Sequence, residues 1–164
     1  MKRILFAAFV ALVLCLGAAA QSADAISKAS TTQYYAKSSL QGDELWKALE
    51  TMQCAISVAT VNADGTPNAA VVIPGVTKDR SALVFGLAPN QTIENFKARK
   101  FAVVTAYIYN PTATEKLDRN KGARIVVEYI SDPAEIKRQI EDNKNPRITE
   151  KSTFMKIVRV MPLG

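Results

Sequence analysis

The chain has no histidine at all. Imidazole is the usual base and ligand in Ser-His-Asp and Cys-His catalysis, in His-bearing zinc sites and in the HExxH helix, so all of these are excluded. Cysteine is nearly as scarce, with only Cys15 and Cys54 in 164 residues. Glycine and proline number 7 each and charged residues of both signs make up 22%, which rules out collagen-like, low-complexity and disordered classes. No GxGxxG, GxxxxGK[ST] or GxSxG motif occurs, and no acidic cluster has calcium-loop spacing. No Lys/Arg run is long enough for a nucleic-acid stripe, so the net charge of +6 reads as solubility with a mild pull on anions and gives no reason to expect a nucleic-acid partner.

What the sequence does have begins at the N-terminus. Lys2 and Arg3 precede an apolar run from Ile4 to Gly17, followed by Ala18-Ala19-Ala20 and Ala23-Asp24-Ala25. The run falls short of the roughly 18–20 residues of a membrane span and has the layout of a secretory signal peptide. Residues 1–25 are therefore expected to be that signal, with cleavage after Ala20 or Ala25, and no membrane span is expected in the mature chain. Cys15 follows the bulky Leu14, where a lipoprotein signal has a small residue. The absence of a twin arginine indicates export of an unfolded chain, so a cofactor would be acquired outside the cytoplasm. Removing Lys2, Arg3 and Asp24 lowers the net charge to +5 and leaves Cys54 as the sole thiol, unable to form an intramolecular disulfide. Export without disulfides suits a Gram-negative periplasm.

One domain of about this length is the ordinary case. Residues 26–42 are polar and without clear period, a leader that is mobile or packs late. From residue 43 the pattern changes. Asp43 can cap a helix carrying Leu45, Leu49 and Met52 on one face, with Trp46 beside them. Ala55 to Val61 and Asn68 to Ile73 flank the turn Asn62-Ala63-Asp64-Gly65, which predicts a hairpin ended by Pro74-Gly75. Ala82 to Gly86 predicts a third strand, and Asn90 caps a helix that turns Ile93 and Phe96 inward. Phe101 to Tyr109 alternates like a strand buried on both sides, which places Tyr107 and Tyr109 in packing roles. Gly122 to Ile130 gives a fifth strand. Asp132-Pro133-Ala134-Glu135 starts a helix with a cap, a first-position proline and a glutamate able to close a capping box. Ser152 to Val160 supplies a sixth strand. The order predicts a mainly β domain over 43–164 with flanking helices: six strands in a closed, mostly antiparallel sheet.

The strongest local candidate for binding is Leu87 to Asn95, which follows a strand and opens a helix, offering free main-chain N–H groups beside a hydroxyl and amides. The hairpin Ile56–Val71, then Leu83–Gly86, Gln91–Phe96 and Ala102–Thr105, with the ending Lys156–Gly164, resembles the FMN-binding split barrels related to pyridoxamine 5'-phosphate oxidase. The resemblance spans Glu44 to Gly164 and implies a six-stranded antiparallel split β-barrel. It implies a homodimer with FMN at the interface, the isoalloxazine lined by Val71, Val72, Ile73 and Pro74, the phosphate met by Gln91 and Thr92, and that turn supported by Asn95. The family often has Lys or Arg where this chain has Gln91. A neutral amide loses the charge-assisted share of the phosphate contact unless Lys97, Arg99 or the partner chain supplies it.

The activity implied is that of a small flavin oxidoreductase or an electron-transfer protein. Hydride exchange at flavin N5 needs no protein acid or base, so no catalytic residue is assigned and the missing histidine does no harm. The alternatives are the same barrel as a non-catalytic module for another phosphorylated or polycyclic ligand, or as an empty structural domain. No metal site is expected.

Overall fold

The computed structural model describes residues 22–28 and 33–164. The expected export signal lies outside the described residues up to position 21. In chain order the elements are α1 (Ala23–Lys28), a 3-10 turn (Ala36–Ser38), α2 (Gly42–Glu50), β1 (Ala55–Val61), β2 (Pro67–Val71), β3 (Gly75–Val76) and β4 (Ala82–Phe85), followed by α3 (Gln91–Arg99), β5 (Phe101–Tyr109), α4 (Lys116–Arg119), β6 (Asn120–Tyr129), α5 (Pro133–Asn143) and β7 (Thr153–Pro162).

The strands form one antiparallel sheet in the order β2-β1-β5-β6-β7-β4-β3. It has 7 strands, not the six expected. The extra one, Gly75–Val76, pairs with Leu83 and Val84 immediately after Pro74, where the sequence predicts a break, and two residues are too few to show a period. The connectivity dictates the curl. Strands β2 and β3 lie at opposite ends of the ladder, yet only Val72, Ile73 and Pro74 join them, a reach of at most about 14 Å. A flat sheet of this order would hold its ends about 29 Å apart. The sheet therefore bends into a half-barrel, with β2 and β3 as the two lips of the split.

The concave side holds the core. Leu45 and Leu49 of α2, Ile56 and Val58 of β1, Phe85 of β4, Phe96 of α3, Val104 of β5, Ile125 and Val127 of β6 and Met155 of β7 all pack there. The helical period predicts Met52 on the inner face of the first helix. The helix stops at Glu50, and Met52 has a left-handed φ of 56° and points into solvent. The cap position is Gln41, with Asp43 in the first turn, where its charge favours the helix dipole and pairs with Arg80 at 2.7 Å. Strand β5 is fully buried on one face only, through Ala102, Val104 and Ala106. On its other face Tyr107 is half-buried, its hydroxyl donating to Asn120 Oδ1 at 2.6 Å, and Tyr109 is exposed, so neither ring belongs to the core. The leader packs where it is described: Leu40 is buried, and its N–H donates to the Gly122 carbonyl at 2.9 Å.

Helix α5 begins as its sequence demands, with Asp132 Oδ1 accepting from the Ala134 N–H at 3.0 Å and Pro133 in the first turn. Glu135 does not close a capping box. Its carboxylate accepts from Arg138 at 2.7 and 2.9 Å and from Gln139. Gln139 and Asn143 of this helix bond to Ser81 and to the Lys78 N–H, tying α5 to the β3–β4 turn.

Asp79 organises that turn. Burial by itself would raise its pKa, but hydrogen bonds from the Ser81 N–H and the Ser81 and Thr77 hydroxyls, with the Arg138 charge, outweigh it and hold the carboxyl at about 2. A depressed folded-state pKa means that the stabilisation is complete above the unfolded value near 3.8 and disappears as pH falls toward 2. Asp79→Asn is expected to flatten the loss of stability between pH 4 and pH 2, measured as urea midpoints. An unchanged slope would show that the carboxylate does not contribute.

Candidate functional site

The candidate ring-lining residues lie on the lip formed by β2. Side chains alternate across it: Val71 and Ile73 are 87% and 73% exposed, while Val72 and Pro74 are buried in the barrel. Val71 and Ile73 can therefore meet a ligand with their side chains, and Val72 and Pro74 only through the main chain. The Val72 N–H donates to the Ile56 carbonyl at 3.1 Å. In an antiparallel pair alternate residues exchange both hydrogen bonds, so Asn68, Ala70 and Val72 direct their main-chain groups to β1, and Ala69, Val71 and Ile73 direct theirs to the unpaired edge. The neighbouring outward positions are small. Ser57 lies opposite Val71 and Ala59 opposite Ala69, followed on β5 by Thr105 and Val103. The result is a low strip of small residues, apolar apart from the hydroxyls of Ser57 and Thr105, along an edge with free donors and acceptors, which suits a flat ring.

The start of α3 is joined to β2 by a polar knot on the inward face of the strand. The Asn68 amide donates to Thr60 Oγ1 at 2.9 Å and to Thr92 Oγ1 at 3.2 Å. Asn95 Nδ2 donates to Thr60 Oγ1 and to Asn62 Oδ1, both at 2.9 Å, and its Oδ1 accepts from Gln91 Nε2 at 2.8 Å. Thr60, Thr92 and Asn95 are buried. Gln91, Thr92 and Asn95 are thus brought together, with Asn68 as the unforeseen link to β2. Both threonine hydroxyl oxygens accept, so Asn95 is committed to holding α3 to the hairpin, while Thr92 still has its hydroxyl hydrogen to donate.

The helix start keeps main-chain donors. Asn90 Oδ1 accepts from the Ile93 N–H at 3.1 Å, whereas the Gln91 and Thr92 N–H groups precede the first intrahelical bond. The cations that could offset a neutral Gln91 are elsewhere. Lys97 pairs with Glu94 at 3.4 Å, and Arg99 donates to the Asn62 and Ala63 carbonyls at 2.8 and 2.7 Å. They lie six and eight residues along the helix, about 9 and 12 Å from its start. The donor set fits a flat ring on the strip and an anion held by neutral N–H groups.

Other candidates fall away. Cys54 Sγ donates to the Ala48 carbonyl at 3.5 Å and burial pushes its thiol up, which makes it a poor nucleophile. Among the described residues no three or more potential metal ligands cluster, and no helix is long and apolar enough to cross a membrane.

No protein-family model and no curated protein matches the chain. Solved structures do. An FMN-binding protein from Syntrophomonas wolfei subsp. wolfei aligns with 74% of this chain and 85% of its own, at 18% identity and a TM-score of 0.50. A variant of HupZ from Group A Streptococcus aligns with 74% of this chain and 98% of its own, at 14% identity and a TM-score of 0.52. Likeness at these identities is likeness of fold. The chain has the antiparallel split-barrel fold that its sequence resemblance to the pyridoxamine 5'-phosphate oxidase-like proteins implies.

Proposed function

We propose that the chain is an exported, periplasmic FMN-binding flavoprotein of the pyridoxamine phosphate oxidase-like group, a homodimer acting as a small flavin oxidoreductase or electron-transfer protein. The observation that carries this reading is the exposed edge of β2 at Val71 and Ile73 on the strand that Asn68 ties to the capped start of α3. A bound flavin would supply hydride or electron transfer at its ring. The residues of the chain orient it: the edge groups of Ala69, Val71 and Ile73 meet the ring, and the Gln91 and Thr92 N–H groups meet the phosphate. A second copy laid over the strip would cover two large exposed apolar side chains and exclude water from the ring. The basic, apolar N-terminus supports export.

Titration of FMN with the purified protein, read by flavin fluorescence, is expected to give saturable quenching and a yellow complex. A protein that stays colourless after refolding with excess FMN, with no quenching, would overturn the reading. The neutral helix start yields a sharper expectation. Gln91→Arg keeps a donor for Asn95 and adds a charge-assisted bond, a gain of about 1 kcal/mol, so FMN should bind about fivefold tighter. Riboflavin, which lacks the phosphate, should bind the variant and the parent alike.

A further inference from the structure

Next to the strip lies a cavity of about 540 Å3, within the size range of small-molecule sites. Its floor is firm: Val84 and Ile148 are 5% and 9% exposed and belong to a packed cluster with Phe154. Its apolar rim is formed by the exposed Ile73 and Met52. Two charged residues line it. Glu50 is paired with Arg80, its Oε1 lying 3.5 Å from Nε. Arg147 is different. Its guanidinium has no hydrogen bond or ion pair among the described residues, while its main-chain N–H donates to Asn145 Oδ1 at 3.0 Å within a turn closed by the Ile148 N–H on the Asn145 carbonyl. A fixed turn thus presents the exposed, unpaired guanidinium of Arg147 at the mouth of a hollow whose lining is about half polar, through Glu50, Asn145 and Ser152, and half apolar.

We infer that this cavity binds a small amphipathic anion, a one- or two-ring apolar body carrying a carboxylate, sulfonate or phosphate, with Arg147 as the residue that selects for the charge. The apolar body lies between Ile73 and Met52 over the floor of Val84 and Ile148, and the anion meets the guanidinium fork, which matches such oxygens in pairs. Ile73 and Pro74 belong both to the cavity wall and to the segment against which the flavin ring is placed. Resting on the flavin reading, the inference makes the molecule held here the one brought against the ring, and so names the class of its reaction partner.

The test uses the full chain with two fluorescent probes of similar shape, 8-anilinonaphthalene-1-sulfonate and the neutral N-phenyl-1-naphthylamine. Arg147→Gln is expected to weaken the sulfonate about tenfold and leave the neutral probe unchanged. Gly86→Leu weakens both, because a side chain added at Gly86 enters open space on the cavity wall. Equal sulfonate affinity in Arg147→Gln and the parent overturns the inference, and so does a folded Gly86→Leu that binds both probes normally. FMN quenching is measured on the same proteins and is expected to be the same in Arg147→Gln as in the parent. If the parent ignores FMN while the probe pattern holds, the flavin reading falls and the anion site stands. If FMN binds and the probe pattern is absent, the reverse is true.

Discussion

Truncating Phe96 to alanine is expected to cost about 3–5 kcal/mol of folding stability, the range for emptying a large aromatic site in a core. Phe96 is fully buried, and its ring lies 5.6 Å from that of Phe85 at a 52° tilt, an arrangement that adds stabilisation beyond burial. It anchors the middle of α3 while the knot of Asn68, Thr92 and Asn95 anchors the start. Losing the first anchor lets the helix rock on the second, so the Gln91 and Thr92 N–H groups lose their fixed place beside β2. FMN binding should therefore weaken even in the folded fraction. Phe96→Leu, which keeps most of the volume, should cost less than about 1.5 kcal/mol. Urea unfolding of the two variants checks the contrast. A Phe96→Ala midpoint close to that of the parent would mean that α3 is held by its polar contacts alone.

The split between what is legible in the sequence and what is not follows the range of the interactions. The β1–β2 hairpin, the Asn90 cap and the alternation along β5 are written in neighbouring residues, because turns, caps and strand periods act over a few positions. Met52 departs from its expected place because a helical period holds only while the helix continues, and α2 ends two residues earlier. Strand β3 has no signal of its own apart from its partner, β4. The site divides the same way. Gln91, Thr92 and Asn95 can be picked out as a helix start, but the bonding of Thr92 and Asn95 to Thr60, Asn62 and Asn68 spans 24 to 35 residues and depends on the hairpin lying under α3. Lys97 and Arg99 look available for a phosphate by proximity in sequence, yet helix geometry carries them two turns away, to Glu94 and to the Asn62 and Ala63 carbonyls. Arg147 carries no local signal, and its isolation becomes visible only once the cavity is assembled.

Gly122 shows how one residue without a side chain can join three segments, and its replacement by valine should cost about 3 kcal/mol or more. It is buried opposite Tyr107 in the β5–β6 ladder. A Cβ there would strike the Ala106 carbonyl oxygen and come within 2.9 Å of Leu163 Cδ1. The Gly122 carbonyl also accepts the Leu40 N–H at 2.9 Å, so any retreat of the backbone breaks the contact that seats the leader on β6. The two obstacles differ in kind. Leu163 is a flexible side chain near the C-terminus and can move aside, whereas the Ala106 carbonyl belongs to a central strand and cannot move without disturbing β1 and β6 together. Gly122→Ala should therefore destabilise by about 1–3 kcal/mol, and adding Leu163→Ala should recover less than half of it. Thermal or urea midpoints of the single and double variants decide the matter. Full recovery in the double variant would put the strain in the side-chain contact alone and leave the strand backbone free to adjust.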